Sequence, residues 1–171
     1  MRDLKPVRGK TWKFGDNIST TDITPFELYW GKHRTMREIA FEAIRPGWKD
    51  EVKPGDCIVG GENFGFGSHR ASANEVMVDL GIGCVVADSI ARIFYRNAIS
   101  MGFLAFPCPG VSRIFEEGDN LELDARRGIV ANLTTGESIQ GKPYPDELLN
   151  ILRAGGLMPL LRERVKKESS S

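Results

Sequence analysis

Apolar residues in this chain gather into short unbroken runs that alternate with stretches where they recur every three or four positions, a pattern of strands interleaved with helices. The run around Trp12 to Phe14 predicts a strand that leads into a polar loop, Asp16 to Thr24, and stops at Pro25. From Phe26 to Arg34 no period stands out. Thr35 and Glu38 then form a capping-box pattern ahead of Met36, Ile39, Ala40, Ala43 and Ile44, which predicts a helix ended by Arg45-Pro46-Gly47. Cys57 to Gly61 predicts a strand, and Ala73, Val76, Met77 and Leu80 mark a helix from Ser68 to Leu80 closed by Gly81. Another strand follows at Cys84 to Ala87, then a helix capped by Ser89 and ending at Gly102, then a short strand from Phe103 to Phe106.

After Gly110 the character changes. Asn120 to Asp124 and Ile129 to Asn132 alternate apolar and polar residues around a turn containing Arg127-Gly128, the signature of a hairpin. Thr134 to Glu137 makes the next turn. Leu148, Leu149 and Leu152 begin a helix that Gly155-Gly156 interrupts, Leu157 to Val165 continue helically, and a disordered tail is expected from about residue 166 to 171. Alternating strand and helix over Cys57 to Phe106 predicts α/β construction, and residues 1–171 read as one domain without repeat or linker.

Composition narrows the function more than the fold. At 171 residues and 41% hydrophobic content the chain has enough apolar side chains for a proper core. Lysine plus arginine equals aspartate plus glutamate at 23 each, which argues against a nucleic-acid footprint. Cys57, Cys84 and Cys108 stand far apart with no Cys-x-x-Cys pair, so neither a disulfide framework nor a metal ligand set is written here. With no apolar signal core and no spanning segment, a cytoplasmic, reducing compartment and no membrane association are expected.

The candidate chemistry lies in Asn63-Phe64-Gly65-Phe66-Gly67-Ser68-His69-Arg70, between a predicted strand and a predicted helix. Its glycines permit a tight turn, Ser68 is placed to cap the helix, and Arg70 sits close by, so the stretch suits an anion such as a carboxylate or phosphate. Glycine loops before capped helices also occur as plain connections.

The block from Gly60 to Pro107, with Ala87-Asp88-Ser89-Ile90-Ala91-Arg92-Ile93-Phe94-Tyr95-Arg96-Asn97-Ala98-Ile99, resembles the small subunit of isopropylmalate dehydratase and homoaconitase, the swivelling domain of the aconitase superfamily. Trp12 to Pro25 resembles that family's opening signature, and the resemblance runs from about Gly9 to Leu161. It implies a three-layer β/β/α swivelling domain of the aconitase C-terminal type. It also implies a hydro-lyase active only with a large subunit that carries a 4Fe-4S cluster, with no metal on this chain. The substrate would be a small hydroxy di- or tricarboxylic acid such as isopropylmalate or homocitrate.

The family pattern Gly-x-Gly-Ser-Ser-Arg falls on Gly65, Gly67, Ser68, His69 and Arg70, which makes Ser68 the base by position. Its plain alternative is a helix cap. Arg70 would clamp a substrate carboxylate, or else be an exposed helix arginine, and Gly67 would lie against the substrate. His69 departs from the second serine of the pattern, and Ala71-Ser72 stand where Glu-His is common. Its imidazole either accepts a substrate hydrogen bond or is incidental. Asp22 matches an acidic family position and orients the site without touching substrate, or simply caps a loop. Leu28 to Thr35 occupies the place of the substrate-recognition loop, with Lys32 and Arg34 as its side-chain readers, or is a solvated connection. Arg92 and Arg96 read as interface or scaffold contacts. The departures at His69 also admit a hydratase of a related substituted malate or maleate, or a swivelling domain that binds a partner without turnover.

Overall fold

The computed structural model describes residues 4–26, 35–68 and 71–168. Four parallel strands carry the centre: β1 (Val7–Lys13), β2 (Cys57–Gly60), β3 (Cys84–Ala87) and β4 (Ala105–Pro107). Antiparallel strands β5 (Asn120–Asp124), β6 (Ile129–Asn132) and β7 (Ser138–Gln140) extend the sheet from the other side of β1, in the order β4-β3-β2-β1-β5-β6-β7. Helices α1 (Thr20–Ile23), α2 (Trp48–Glu51), α3 (Ser72–Leu80), α4 (Arg92–Ser100), α5 (Asp146–Ala154) and α6 (Leu157–Glu168), with 3₁₀ turns at Met36–Ile39 and Val111–Arg113, complete the described elements.

The short apolar runs at β2 and β3 are buried along their whole length because both faces of these strands are covered. Ile58 and Val85 point to one core with Ala73, Met77, Phe94 and Ala98 of α3 and α4. Val59 and Val86 point the other way, into a second core with Leu121, Leu123 and Val130 of the antiparallel strands and Leu149 and Leu152 of α5. The sheet curls so that its two ends meet. Phe106 of β4 lies 2.7 Å from where a Cβ on Gly141, just after β7, would stand, and the Tyr144 hydroxyl donates to the Ala105 carbonyl. Two β layers and one helical layer result, as the resemblance implies.

Several local expectations give way. The Thr35–Glu38 capping box forms, yet it starts only a 3₁₀ turn, Met36–Ile39. Phe41 then takes a positive φ of 54° and is fully buried, stacked on Phe14 with ring centroids 4.3 Å apart and edge-on to Trp48 at 4.7 Å. Burying that ring, at about 1.5–3 kcal/mol, outweighs the cost of leaving the helix, and Ile44 is left exposed. Helix α3 begins at Ser72 with Ala71 at its cap position, later than the start at Ser68 that the sequence predicts. Ser89 does not cap α4: its Oγ accepts the Asn63 N–H at 2.7 Å and Ala91 holds the cap position. Strand β7 and helix α2 come without a sequence signal, and α6 stays helical to Glu168 where a disordered tail is expected from about residue 166.

An ionic clasp ties the loop before β5 to β1. Burial pushes the Glu117 carboxyl up, but the Arg45 guanidinium and the Lys13 N–H, at 2.7 Å, outweigh it and hold the group below its ordinary range. A lowered folded pKa means that this stabilisation is present above the unfolded value near 4 and is lost as pH falls through the folded one. Chemical denaturation of Glu117→Gln should therefore show about 0.5–1 kcal/mol less stability than the parent at pH 7 and low salt, with the gap closing below about pH 4. A gap that persists at acid pH would assign the effect to packing instead.

Candidate active site

The glycine loop leaves the carboxyl end of β2, where ligands bind in open α/β sheets, and is laced to segments on both sides. On one side, Asn63 N–H donates to Ser89 Oγ, Phe64 N–H to the Ser89 carbonyl at 3.0 Å, and Ala91 N–H to the Phe64 carbonyl at 2.8 Å. On the other, Gly65 N–H donates to the Ile18 carbonyl at 2.7 Å and Thr20 N–H to the Phe66 carbonyl at 2.8 Å. Ser68 follows, half-buried, with its N–H donating to Thr20 Oγ1 at 3.0 Å.

The loop's glycines are where the backbone demands them. Gly65 has φ +76°, and a Cβ there would stand 2.4 Å from Cγ of Phe94. Gly67 has φ +111°, and its Cβ would stand 3.0 Å from Thr20 Oγ1. Both positions favour glycine on backbone grounds, and neither leaves room for an unshifted side chain.

Asp22 acts through that same Thr20. Its Oδ2 accepts both the N–H and the O–H of Ser19, at 2.7 and 2.6 Å, while Ser19 Oγ accepts the Asp22 N–H at 3.0 Å. This capping box fixes the single turn of α1, whose first residue, Thr20, holds the backbone of Phe66 and Ser68. Ser19 and Thr20 are thus positioning residues that the sequence reading passed over, although Ser19-x-x-Asp22 has the spacing of a capping box. Ser68 and Gly67 are held beside Thr20, and Asp22 reaches them only through Ser19 and the turn of α1. His69, Arg70, Lys32 and Arg34 lie outside the described residues. Among the described residues, Ala71 at the cap position of α3 makes no side-chain cap hydrogen bond.

The cysteines do not offer a cradle for an iron–sulfur cluster. All three are fully buried, and Cys57 and Cys84 are paired in register across β2 and β3. The hydrogen bond between those two thiols, together with burial, pushes Cys84 well above its ordinary value, and burial followed by the Asp88 carboxylate raises Cys108. Cys84 and Cys108 are thereby held as thiols, whereas a cluster ligand is a thiolate. Among the described residues no helix is long and apolar enough to cross a membrane.

Residues 18–109, which include the glycine loop and α4, match the aconitase C-terminal domain. The chain is 44% identical over 160 residues to the isopropylmalate/citramalate isomerase small subunit of Methanocaldococcus jannaschii, covering 93% of this chain and 95% of that one. It is 45% identical over 168 residues to a 3-isopropylmalate dehydratase small subunit of Methanopyrus kandleri, covering 95% of each. A solved structure of 3-isopropylmalate dehydratase from M. jannaschii superposes with a TM-score of 0.87 at 32% identity, covering 97% of this chain and 99% of that one.

Proposed function

This chain belongs to the family of 3-isopropylmalate dehydratase small subunits, and on that premise we propose that Ser68 is the base of a dehydration completed on a large partner subunit. The chain is the small subunit of a heteromeric hydro-lyase of this type and works with a large subunit. The observation that carries the site assignment is the Ser19–Asp22 box, which through Thr20 holds the backbone at Ser68 at the carboxyl end of the parallel strands.

In this reading the substrate is a small hydroxy di- or tricarboxylic acid; the M. jannaschii relative is named for isopropylmalate and citramalate, two substituted malates. Ser68 takes the proton from the carbon beside a carboxylate and returns one in the reverse direction. A serine hydroxyl is a weak base in water, so the site must favour its alkoxide. The N-terminus of α3 and the Arg70 guanidinium are the cationic features that the chain supplies nearby in sequence. Arg70 binds a substrate carboxylate, Gly67 lets the backbone lie close to the substrate, and His69 offers an imidazole where relatives of the common pattern have serine. Asp22 keeps the loop in place and does not touch substrate.

Since this chain's thiols fit no cluster, the 4Fe-4S group expected of the family is assigned to the large subunit, where it would act as the Lewis acid on the leaving hydroxyl. A cytoplasmic setting completes the proposal.

Anaerobic reconstitution with the large subunit from the same organism, followed by a screen of hydroxy acids for absorbance of the unsaturated product, tests the assignment. Turnover of a substituted malate or of homocitrate is expected; an assembled pair inactive on every hydroxy di- and tricarboxylate would overturn it. Lys32 and Arg34 are assigned to substrate choice. Arg34→Leu should weaken kcat/KM for acids with a third carboxylate by about 10–100-fold and leave those with an apolar substituent nearly unchanged. Equal losses on both kinds would remove Arg34 from that role.

A further inference from the structure

One end of the molecule carries cationic and apolar side chains that the fold does not use. Arg92 and Arg96, one turn apart on α4, are exposed, and neither forms an ion pair or side-chain hydrogen bond with the described residues. Between them Ile93 is 46% exposed. Beside this helix face lies a cleft of about 530 Å³ lined by Tyr95, Pro107, Tyr144 and Leu148, with Lys142 also in its wall. The cleft is preorganised. The Tyr144 hydroxyl donates to the Ala105 carbonyl, and its ring packs 5.2 Å from Phe106 and 6.2 Å from Tyr95. Rigid aromatic and proline walls lose little entropy when covered, and tyrosine and arginine are the residue types that dominate the energetics of protein interfaces.

This face is continuous with the loop that carries Ser68. Ala91, at the cap of α4, donates its N–H to the Phe64 carbonyl, and Phe94, on the buried side of the same turn, packs against Gly65, so the start of the helix is fixed to the loop. A partner that closes over Ser68 is therefore brought to the first turn of α4. The charge of the face suits a partner that presents carboxylates. The face offers Arg92, Arg96 and Lys142, while the acidic residues next to it in sequence, Asp146 and Glu147 in the first turn of α5, pair with none of them.

We propose that Arg92, Ile93 and Arg96, with the Tyr95–Tyr144 cleft, form the docking surface for the large subunit, which presents carboxylates to the two arginines and an apolar segment to the cleft. The proposal rests on the small-subunit reading above and adds where the partner binds. The arginines serve assembly and not the chemical step.

The test is the affinity of the purified large subunit for Arg92→Glu/Arg96→Glu and for Ile93→Asp, measured by titration calorimetry at low and high salt. Because these side chains are exposed, thermal unfolding of both variants should match the parent. The double variant should bind at least about 100-fold more weakly, with a much flatter salt dependence, and excess large subunit should restore its turnover. Val78→Asp, equally exposed at 46% but beside Gly81 at the opposite end of the strands, should bind within twofold of the parent. Parent-like binding by both α4 variants would overturn the docking surface and leave the catalytic reading intact. Failure of the parent chain to bind the large subunit would overturn both. If the chain alone sedimented as a dimer that the same variants disperse, the face would belong to a second copy, and the proposal would fail.

Discussion

Ser68→Ala should lower kcat of the assembled enzyme by about 10²–10⁴-fold, the range that a positioned general base contributes, while leaving KM and the affinity for the large subunit close to the parent's. The variant isolates the hydroxyl. The Ser68 backbone N–H still donates to Thr20 Oγ1, so the loop keeps its attachment, and helix α3 starts at Ser72 with Ala71 at its cap. A capping serine would cost about 1 kcal/mol on removal. Thermal unfolding reads any such structural loss by itself, so it separates that role from the catalytic one read by kcat. A severalfold loss of kcat would show that the base lies elsewhere.

Gly65→Ala should be the most disruptive single-methyl change in the loop. A left-handed φ of +76° costs a non-glycine residue about 1–2 kcal/mol, and the new Cβ would stand 2.4–2.7 Å from Cγ, Cδ2 and Cβ of Phe94. Phe94 is 1% exposed and held edge-on to Phe64, so it has no open side to move into. Overpacking of that kind adds about 1–3 kcal/mol, for a total of about 2–5 kcal/mol, and the displaced loop should carry Ser68 out of register. Gly136→Ala is the matched control. It shares a positive φ of +83° but has no atom within 4 Å of the new methyl, so it should lose only the backbone part. Urea denaturation of both variants reads the difference, and equal losses would mean that Phe94 yields without cost.

Recognition of the family from residues alone was sound because the stretches that carry it are also the ones whose structure is locally dictated. Cys57-Ile58-Val59 and Cys84-Val85-Val86 are apolar without interruption because both faces of their strands are buried, and no other placement would keep such runs from water. The hairpin of β5 and β6 was equally legible, as was the end of α3 at Gly81, which takes φ +76°. The core faces of α3 and α4 follow from their period.

What the sequence by itself determined was therefore the alternation of elements, the family, and the place of the glycine loop between β2 and α3. Tertiary structure decided which partner each small polar side chain takes. A serine hydroxyl beside a helix start bonds equally well to the helix's own amides or to another segment, and nothing in the local sequence separates the two. Ser89 went to Asn63. In the same way Phe41 left its predicted helix because Phe14, distant in sequence, formed with Trp48 a pocket that rewards burial of its ring more than a further helical turn would. Local periodicity reports the burial a residue would have in an isolated element, whereas those contacts exist only after the curled sheet has brought its strands together.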